Sequence, residues 1–245
     1  MKKFAVALSF VAFTVPFSSC DQADEIINAV NSGALTNDDI VKGLKAALTV
    51  GTDTSVKRLS ATDGYFLDQA VKILLPPEAA PIFDNLSKIP GGSTLVNNTI
   101  LAINRAAEDA APEATTIFVD AITNITIGDG LNILNGNDSA ATGYLKTNTY
   151  NPLKNAFAPK ISTSLSKPLV GGVSAESLYT DLVDAYNTAS LNGILFPKIT
   201  QNTLGEYVTT KALDGLFLKV AVEEGKIRND VNHRVSDILK KVFTK

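Results

Sequence analysis

The sequence is poor in the residues that build metal and redox sites. Its 245 residues include one histidine, one cysteine, no tryptophan and a single methionine, Met1. A zinc or iron site needs several histidine, cysteine or carboxylate ligands, and His233 with Cys20 does not supply them. We therefore expect no bound metal. Because one cysteine cannot form a disulfide within the chain, the core has to be built by packing Leu, Ile, Val, Phe and Ala.

An excess of basic charge is also missing. Lys and Arg number 22 against 25 Asp and Glu, and loss of residues 1–19 with their two lysines would leave 20 against 25, a net charge of −5. Such a mildly acidic chain is a poor ligand for nucleic acid, so we expect no nucleic-acid partner. The GDG at 128–130 lacks the rest of a phosphate-binding loop, and we expect no cofactor.

Long apolar runs are confined to the amino terminus. Residues 1–19, MKKFAVALSFVAFTVPFSS, combine two lysines with an apolar stretch and small residues, which is typical of a signal peptide and too short to span a membrane. The most apolar later segment, ALDGLFLKVAV, is interrupted by Asp214 and Lys219. We therefore predict an exported protein of the cell envelope.

The single cysteine, Cys20, directly follows this segment. The stretch VPFSSC resembles a bacterial lipobox, in which the cysteine receives a diacylglyceryl group and becomes the first mature residue. Phe17 stands where that motif usually has an aliphatic residue. The resemblance implies a lipoprotein held at the membrane by its acyl chains, since two chains give stable attachment. The alternative is an ordinary signal peptide cut a few residues later, which would give a periplasmic protein.

Apolar residues at helical spacing dominate the rest of the chain and predict an all-α fold. We expect a polar tether over residues 20–34 and a single domain over residues 35–245, a helical bundle of about eight to ten helices. The first helix should begin near Thr36, which forms a capping-box pattern with Asp39. Alternating strand patterns are nearly absent, apart from short runs such as 194–196.

Proline and glycine divide the predicted helices. We expect a short helix over residues 69–74 that stops at the prolines 76 and 77. A later helix should be capped by Asn137 or Asp138, and a separate one should cover residues 151–165.

The apolar faces of the two strongest amphipathic segments, Leu95–Ala110 and Leu204–Ile227, have two interpretations. Short helices that cross at varied angles leave concavities, so both faces could line a groove for a fatty-acyl or other hydrophobic ligand. Tyr144 or Tyr207 would then offer a hydroxyl at its mouth. Alternatively, the two faces pack on each other as core.

Charged residues lie within otherwise apolar helical segments. They are Arg105, Glu108, Asp120, Asp129, Asp214, Glu224 and Arg228. Buried charge is costly unless it is paired, so one interpretation is internal salt bridges that fix helix register, with Arg105 bound to Asp120 or Glu108. The other is a paired-carboxylate site for acid–base chemistry, or the polar floor of a ligand pocket.

Four segments together resemble one bacterial family. They are NRAAEDAAPEATTIFVDAI, ILNGNDSAATGYL, YVTTKALDGLFLKVAVEEGKIR and ILKKVF. The family is the uncharacterised helical envelope family catalogued as domain of unknown function 4197, and the resemblance runs from Leu35 to Phe243. It implies a secreted, largely helical single domain, often with a signal or lipoprotein leader. It implies no reaction.

The sequence favours a non-catalytic binding or interaction module of the cell envelope, held at the membrane through Cys20. Its partner would be a hydrophobic small molecule or an envelope protein. The alternative is a hydrolase that acts on an envelope substrate through carboxylates. Accessible acidic side chains clustered in a cleft would support the hydrolase, whereas an apolar cleft with the charges paired elsewhere would support the binding module.

Overall fold

The computed structural model describes residues 36–168, 170–200, 203–234 and 236–243. In chain order the α-helices are α1 (Asn37–Ser60), α2 (Ala80–Asp84), α3 (Gly92–Ala110), α4 (Ala114–Thr123), α5 (Ile127–Leu134), α6 (Ala140–Leu165), α7 (Ala175–Ala189), α8 (Leu204–Asn229) and α9 (Asp237–Val242). Short 3-10 helices cover Pro77–Ala79, Leu86–Lys88, Ala111–Glu113 and Val231–His233. These helices belong to one compact unit, residues 37–245. Cys20, the predicted signal peptide and the predicted tether lie outside the described residues.

The described ranges contain no strand, so the predicted all-α class is confirmed. Seven of their helices have eight or more residues, fewer than the eight to ten predicted. One reason is α6, which continues through Pro152 and Pro159 where two helices were expected. Both prolines are exposed, as are the residues four positions earlier, so the carbonyl groups that lose a helical partner can bind water.

The predicted helix over residues 69–74 is wrong. Residues 69–71 form a turn, and residues 72–76 have no regular structure. Buried residues alternate there with more exposed ones: Val71, Ile73 and Leu75 are buried, whereas Leu74 is 54% exposed. This period of two belongs to an extended chain that lies against the helices.

The core lies where α6 and α8 pack together, with α1 and α4 beside them. Phe217 of α8 is in contact with Phe118 of α4 and Tyr150 of α6, with ring centroids 6.0 and 6.3 Å apart. Full burial of one such ring stabilises the fold by about 1.5–3 kcal/mol. The aromatic contact therefore joins three helices that are distant in sequence.

The predicted groove between the two strongest amphipathic segments is wrong. α3 packs mainly on α7 and α6, whereas α8 packs mainly on α6 and α1. Ala106, Ala107 and Ala110 of α3 have no exposed surface, and neither do Val208 and Ala212 of α8. A side chain with no accessible surface touches no space that a water molecule could enter. Both apolar faces are therefore core, although each packs chiefly against other helices.

Two segments without regular structure are fixed to helices by asparagine side chains. Asn104 of α3 accepts a hydrogen bond from the Ile73 N–H (2.9 Å) and donates one to the Ile73 carbonyl (2.8 Å). Asn187 of α7 makes the same two bonds to Ile199, each 3.0 Å long. Each amide thus replaces a neighbouring strand and satisfies buried backbone groups.

The described part of the chain holds no single helix that is long and apolar enough to cross a membrane. Gly92–Thr123 and Ile127–Leu134 meet the length and composition criteria only as a pair, with a bend of 105° between them.

Candidate functional site

Arg105 and Glu108, almost one turn apart on α3, form an ion pair that holds the turn region after α1. The Arg105 Nη1 atom is 2.6 Å from Glu108 Oε2, and Nη2 is 2.7 Å from Asp63 Oδ1. Glu108 Oε1 also accepts hydrogen bonds from the N–H groups of Tyr65 (3.1 Å) and Phe66 (3.3 Å). The predicted pairing of Arg105 with Glu108 is confirmed, and Asp63 is its second carboxylate.

Glu224 and Arg228 of α8 form a second buried pair, which caps α6. The Glu224 carboxylate accepts hydrogen bonds from the N–H of Ala141 (3.0 Å) and from the N–H and hydroxyl of Thr142 (2.7 Å each). Arg228 Nε donates to Glu224 (2.9 Å), and its Nη2 donates to the Ile133 carbonyl (2.8 Å). A carboxylate at this position satisfies N–H groups that a helix start leaves unpaired.

Glu108 and Glu224 are therefore both occupied by structural contacts. The Glu108 side chain is 5% exposed and the Glu224 side chain 6%. The cavity beside Glu224 and Arg228 has a volume of about 20 Å³, which suits roughly one water molecule rather than a substrate. For these two pairs the internal salt-bridge interpretation describes the structure.

Asp120 and Tyr144 lie away from the buried pairs, in a surface groove between α4 and α6 that we name the Asp120 groove. Its volume is about 360 Å³, and Asn124 and Asn148 also line it. Asp120 does not contact Arg105, which corrects that part of the predicted pairing. The Asp120 groove therefore offers amides and one carboxylate on the surface.

Asp129 has a local structural role at the start of α5. Its carboxylate accepts a hydrogen bond from the Thr126 N–H (3.0 Å), while the Asp129 N–H donates to Thr126 Oγ1 (3.2 Å), which completes a capping box. The hydrogen bonds from Thr126 lower the pKa of Asp129, which also bonds to Tyr144. Burial, followed by the charge of Asp129, raises the pKa of Tyr144.

Tyr207 and Asp214 line a different surface groove, between residues 70–74 and α8, which we name the Leu74 groove. Its volume is about 360 Å³. The side formed by α8 consists of Tyr207, Lys211, Asp214, Gly215 and Leu218. A Cβ atom on Gly215 would lie 3.1 Å from Val71 Cβ, so glycine at this position permits the extended segment to approach the helix.

The extended segment has an open backbone edge at Leu74, a residue that lines the Leu74 groove. Ile73 uses both of its backbone groups on Asn104, and in an extended chain the next residue directs its N–H and C=O to the opposite side. Within the described ranges neither backbone group of Leu74 has a hydrogen-bond partner. The Tyr207 hydroxyl donates to the Leu75 carbonyl (3.2 Å), and burial raises the pKa of Tyr207.

The side chains around this edge are apolar or charged, with two lysines and one aspartate. Leu74 and Leu218 are 54% and 43% exposed. The Lys72 Nζ atom lies 4.2 Å from the centre of the Phe66 ring. Lys211 Nζ is 3.8 Å from the Asp214 carboxylate, and both side chains are about half exposed. Sequence reasoning missed Lys72 and Leu74 because residues 69–74 were assigned to a helix, and it did not single out Leu218.

Two further ion clusters were not anticipated from the sequence. The Lys219 Nζ is 2.5 Å from Asp68 Oδ2, and this hydrogen bond lowers the pKa of Asp68. The Ser164 hydroxyl donates to Asp109, whose carboxylate is also 2.9 Å from Lys167 Nζ. A serine close to a lysine occurs in some hydrolases, but Ser164 has no exposed surface and cannot meet a substrate in this conformation.

The family model of the protein of unknown function DUF4197 matches residues 34–244, nearly the whole described domain. The chain belongs to this family. No curated protein and no solved structure is detectably similar to this chain. Membership of the DUF4197 family confirms the resemblance found in the sequence motifs.

Proposed function

We propose that this DUF4197 protein is an exported, lipid-anchored interaction module that binds an extended segment of a protein partner in the Leu74 groove. One observation carries the proposal: the backbone edge of Leu74 is unpaired and lies beside two exposed leucine side chains. An open edge of extended chain is a template on which a second chain adds by backbone hydrogen bonds.

A protein segment fits the described surfaces better than a hydrophobic small molecule. Pockets for small molecules usually have volumes of roughly 300–1,000 Å³ and enclose most of the ligand. The apolar cavity beside Glu224 is about 20 Å³, and the apolar faces of α3 and α8 are packed. The Leu74 groove has the necessary volume, but it is open and has both apolar and charged walls.

The charges of the Leu74 groove define the chemistry of the expected segment. Lys72 and Lys211 flank it, so acidic side chains on the partner would be favoured, with apolar side chains opposite Leu74 and Leu218. The ion pair of Lys211 with Asp214 is exposed and contributes only about 0–1 kcal/mol. Lys211 can therefore exchange this contact for one with a partner at little cost.

The position of the protein in the envelope is supported by its amino terminus. Residues 1–19 have the pattern of a signal peptide, and Cys20 follows them directly. An acyl anchor would hold the folded domain near the membrane surface. An interaction module in this position would meet envelope proteins.

The hydrolase alternative lacks a supporting observation among the described residues. Glu108 and Glu224 are bound to guanidinium and backbone N–H groups, and Asp214 stands beside Lys211. A general acid or base has to be within reach of the substrate, and the buried side chains of Glu108 and Glu224 are not.

Site-specific photo-crosslinking of the full-length protein in producing cells tests the Leu74 groove. A photoreactive residue is placed at position 74 or 218, and a control is placed at Val231, an apolar residue that is 61% exposed on the 3-10 helix after α8. We expect both groove positions to crosslink the same segment of the same protein. Crosslinks that are absent, or that match those of position 231, would contradict the proposal.

A synthetic peptide of the crosslinked segment then tests the backbone contact. Leu74→Ala keeps the N–H of residue 74, whereas Leu74→Pro removes it. We expect Leu74→Pro to weaken peptide binding by about 2- to 10-fold more than Leu74→Ala, because one hydrogen bond contributes about 0.5–1.5 kcal/mol. Equal affinities of the two variants, with circular dichroism spectra like that of the wild type, would show that the edge is not used.

A further inference from the structure

A second surface feature lies outside the Leu74 groove, in the loop after α7. Residues 191–195, here named the apolar tip, are five consecutive exposed residues. Leu191, Ile194 and Leu195 are 55%, 80% and 64% exposed. Apolar side chains that are exposed to water do not stabilise the fold, and a group of them often marks an interaction site.

The apolar tip has a fixed and strained backbone. Leu191, Asn192 and Gly193 have φ angles of 53°, 56° and 103°. Glycine takes such angles readily, but a leucine in the left-handed region is unfavourable. The conformation is maintained by hydrogen bonds from Gly193 N–H to Ser190 Oγ and from Leu195 N–H to Ser190 O, each 3.0 Å long. The apolar side chains are therefore held outward by the loop itself.

The base of the apolar tip is anchored on α7. The Phe196 ring centroid is 5.0 Å from that of Tyr186, and the Tyr186 hydroxyl donates to the Pro197 carbonyl (2.8 Å). Two residues later, Ile199 is bound by Asn187. The tip is thus a rigid projection from a helix rather than a free loop.

Two lysines stand at this base. Lys88 Nζ lies 5.0 Å from the centre of the Phe196 ring, and the Lys198 side chain lies next to Gly193. Both lysines are exposed. The acidic group near the base is Asp84, whose charge adds to burial in raising the pKa of Tyr186. The tip therefore combines exposed apolar side chains with two cationic groups behind them.

We propose that the apolar tip inserts into the interface of a bilayer that contains anionic lipids, with Lys88 and Lys198 at the level of the headgroup phosphates. Segments that lie in the membrane interface combine apolar side chains with lysine or arginine in this way. A specific protein interface uses about 20–30 residues on each side, whereas the tip offers five. This inference does not depend on the Leu74 groove or on acylation of Cys20.

Tryptophan fluorescence tests the insertion directly, because the chain contains no tryptophan. Ile194→Trp places a single reporter at the tip, and Leu67→Trp places a matched one at an apolar residue that is 65% exposed elsewhere. Both are made in the full-length chain with Cys20→Ser, so that no acyl chain contributes. With vesicles of equal parts phosphatidylglycerol and phosphatidylcholine, we expect a blue shift for Ile194→Trp and none for Leu67→Trp.

The charge of the lysines is tested separately. Each basic residue near an anionic surface contributes about 1 kcal/mol, so Lys198→Gln should weaken binding of the Ile194→Trp protein to these vesicles by about fivefold. Lys154→Gln, which removes an exposed lysine paired with Glu206, is the control and should leave the affinity unchanged.

Three results would overturn the proposal. An unchanged emission of Ile194→Trp with vesicles would show that the tip stays in water. Equal blue shifts for Ile194→Trp and Leu67→Trp would place the membrane contact in another part of the chain. A blue shift of Ile194→Trp that requires delipidated envelope proteins, and does not occur with vesicles, would identify the tip as a protein contact.

Discussion

Two of the buried glutamates, Glu108 and Glu224, have the same structural role in different parts of the fold. Glu108 binds the N–H groups of a turn region and Glu224 those of a helix start, and each is neutralised by an arginine on its own helix. The carboxylate of Glu224 caps the start of α6, a role that was expected of Asn137 or Asp138. Asn137 instead accepts a hydrogen bond from the Ser139 N–H, which forms a local turn.

Removal of Glu108 should be more damaging than removal of Arg105. Glu108→Ala leaves two backbone N–H groups without their acceptor and Arg105 with Asp63 as its remaining carboxylate, and we expect a loss of about 3–5 kcal/mol in the free energy of unfolding. Arg105→Ala leaves Glu108 its backbone donors, and we expect a loss of about 1.5–3 kcal/mol. Urea denaturation followed by circular dichroism measures both values.

An exposed carboxylate provides the control for this comparison. Glu206 pairs with Lys154 at 3.3 Å, and its side chain is 79% exposed. Glu206→Ala should change the free energy of unfolding by about 0–1 kcal/mol. If Glu108→Ala is no more damaging than Glu206→Ala, the burial of the Arg105–Glu108 pair is contradicted.

Among the structural elements, helices form the scaffold, whereas each proposed contact surface includes an irregular segment. The Leu74 groove and the base of the apolar tip each depend on an asparagine that binds one isoleucine backbone. In each segment a tyrosine hydroxyl also donates a hydrogen bond to the carbonyl of a residue two positions from that isoleucine. Rigid helices can thus hold extended backbone without a sheet.

Replacement of Asn104 should release the segment that forms the Leu74 groove. Asn104→Ala leaves the N–H and C=O of Ile73 buried without partners, which costs about 1–3 kcal/mol for each group. We expect lower thermal stability and faster hydrogen exchange of the Ile73 amide, measured by NMR. The exposed Asn148 bonds only to the Tyr144 carbonyl in its own helix, and Asn148→Ala should leave that exchange rate unchanged. An unchanged rate in Asn104→Ala would contradict the role of the asparagine.

At the scale of the whole molecule, the proposals place a folded domain at a membrane surface. The predicted acyl anchor at Cys20 would keep the domain close to the bilayer, and the apolar tip would add a second, weaker contact. An extended protein segment bound in the Leu74 groove would then be held at the same surface. Two attachment points restrict the orientation of a domain more than one does.

Replacement of Cys20 tests the anchor. Cys20→Ser removes the thiol that would be acylated, so we expect the protein to move from the membrane fraction to the soluble envelope fraction when producing cells are fractionated. Ser19→Ala, which keeps the cysteine and a small residue before it, is the control and should stay with the membrane. Equal membrane retention of wild type and Cys20→Ser would contradict acylation.

The helical class and most of the long helices follow from the sequence alone, because helical periodicity and capping are local properties. The first helix, for example, begins directly after Thr36, where the capping-box pattern places its start. Which groups meet across the chain is known only from the packing of the helices. Glu224 caps a helix 83 residues away from it in sequence, and Asn104 holds an isoleucine 31 residues away. Such pairings, and the exposure of the apolar tip, depend on how the helices pack. Local patterns of residues do not predict this packing.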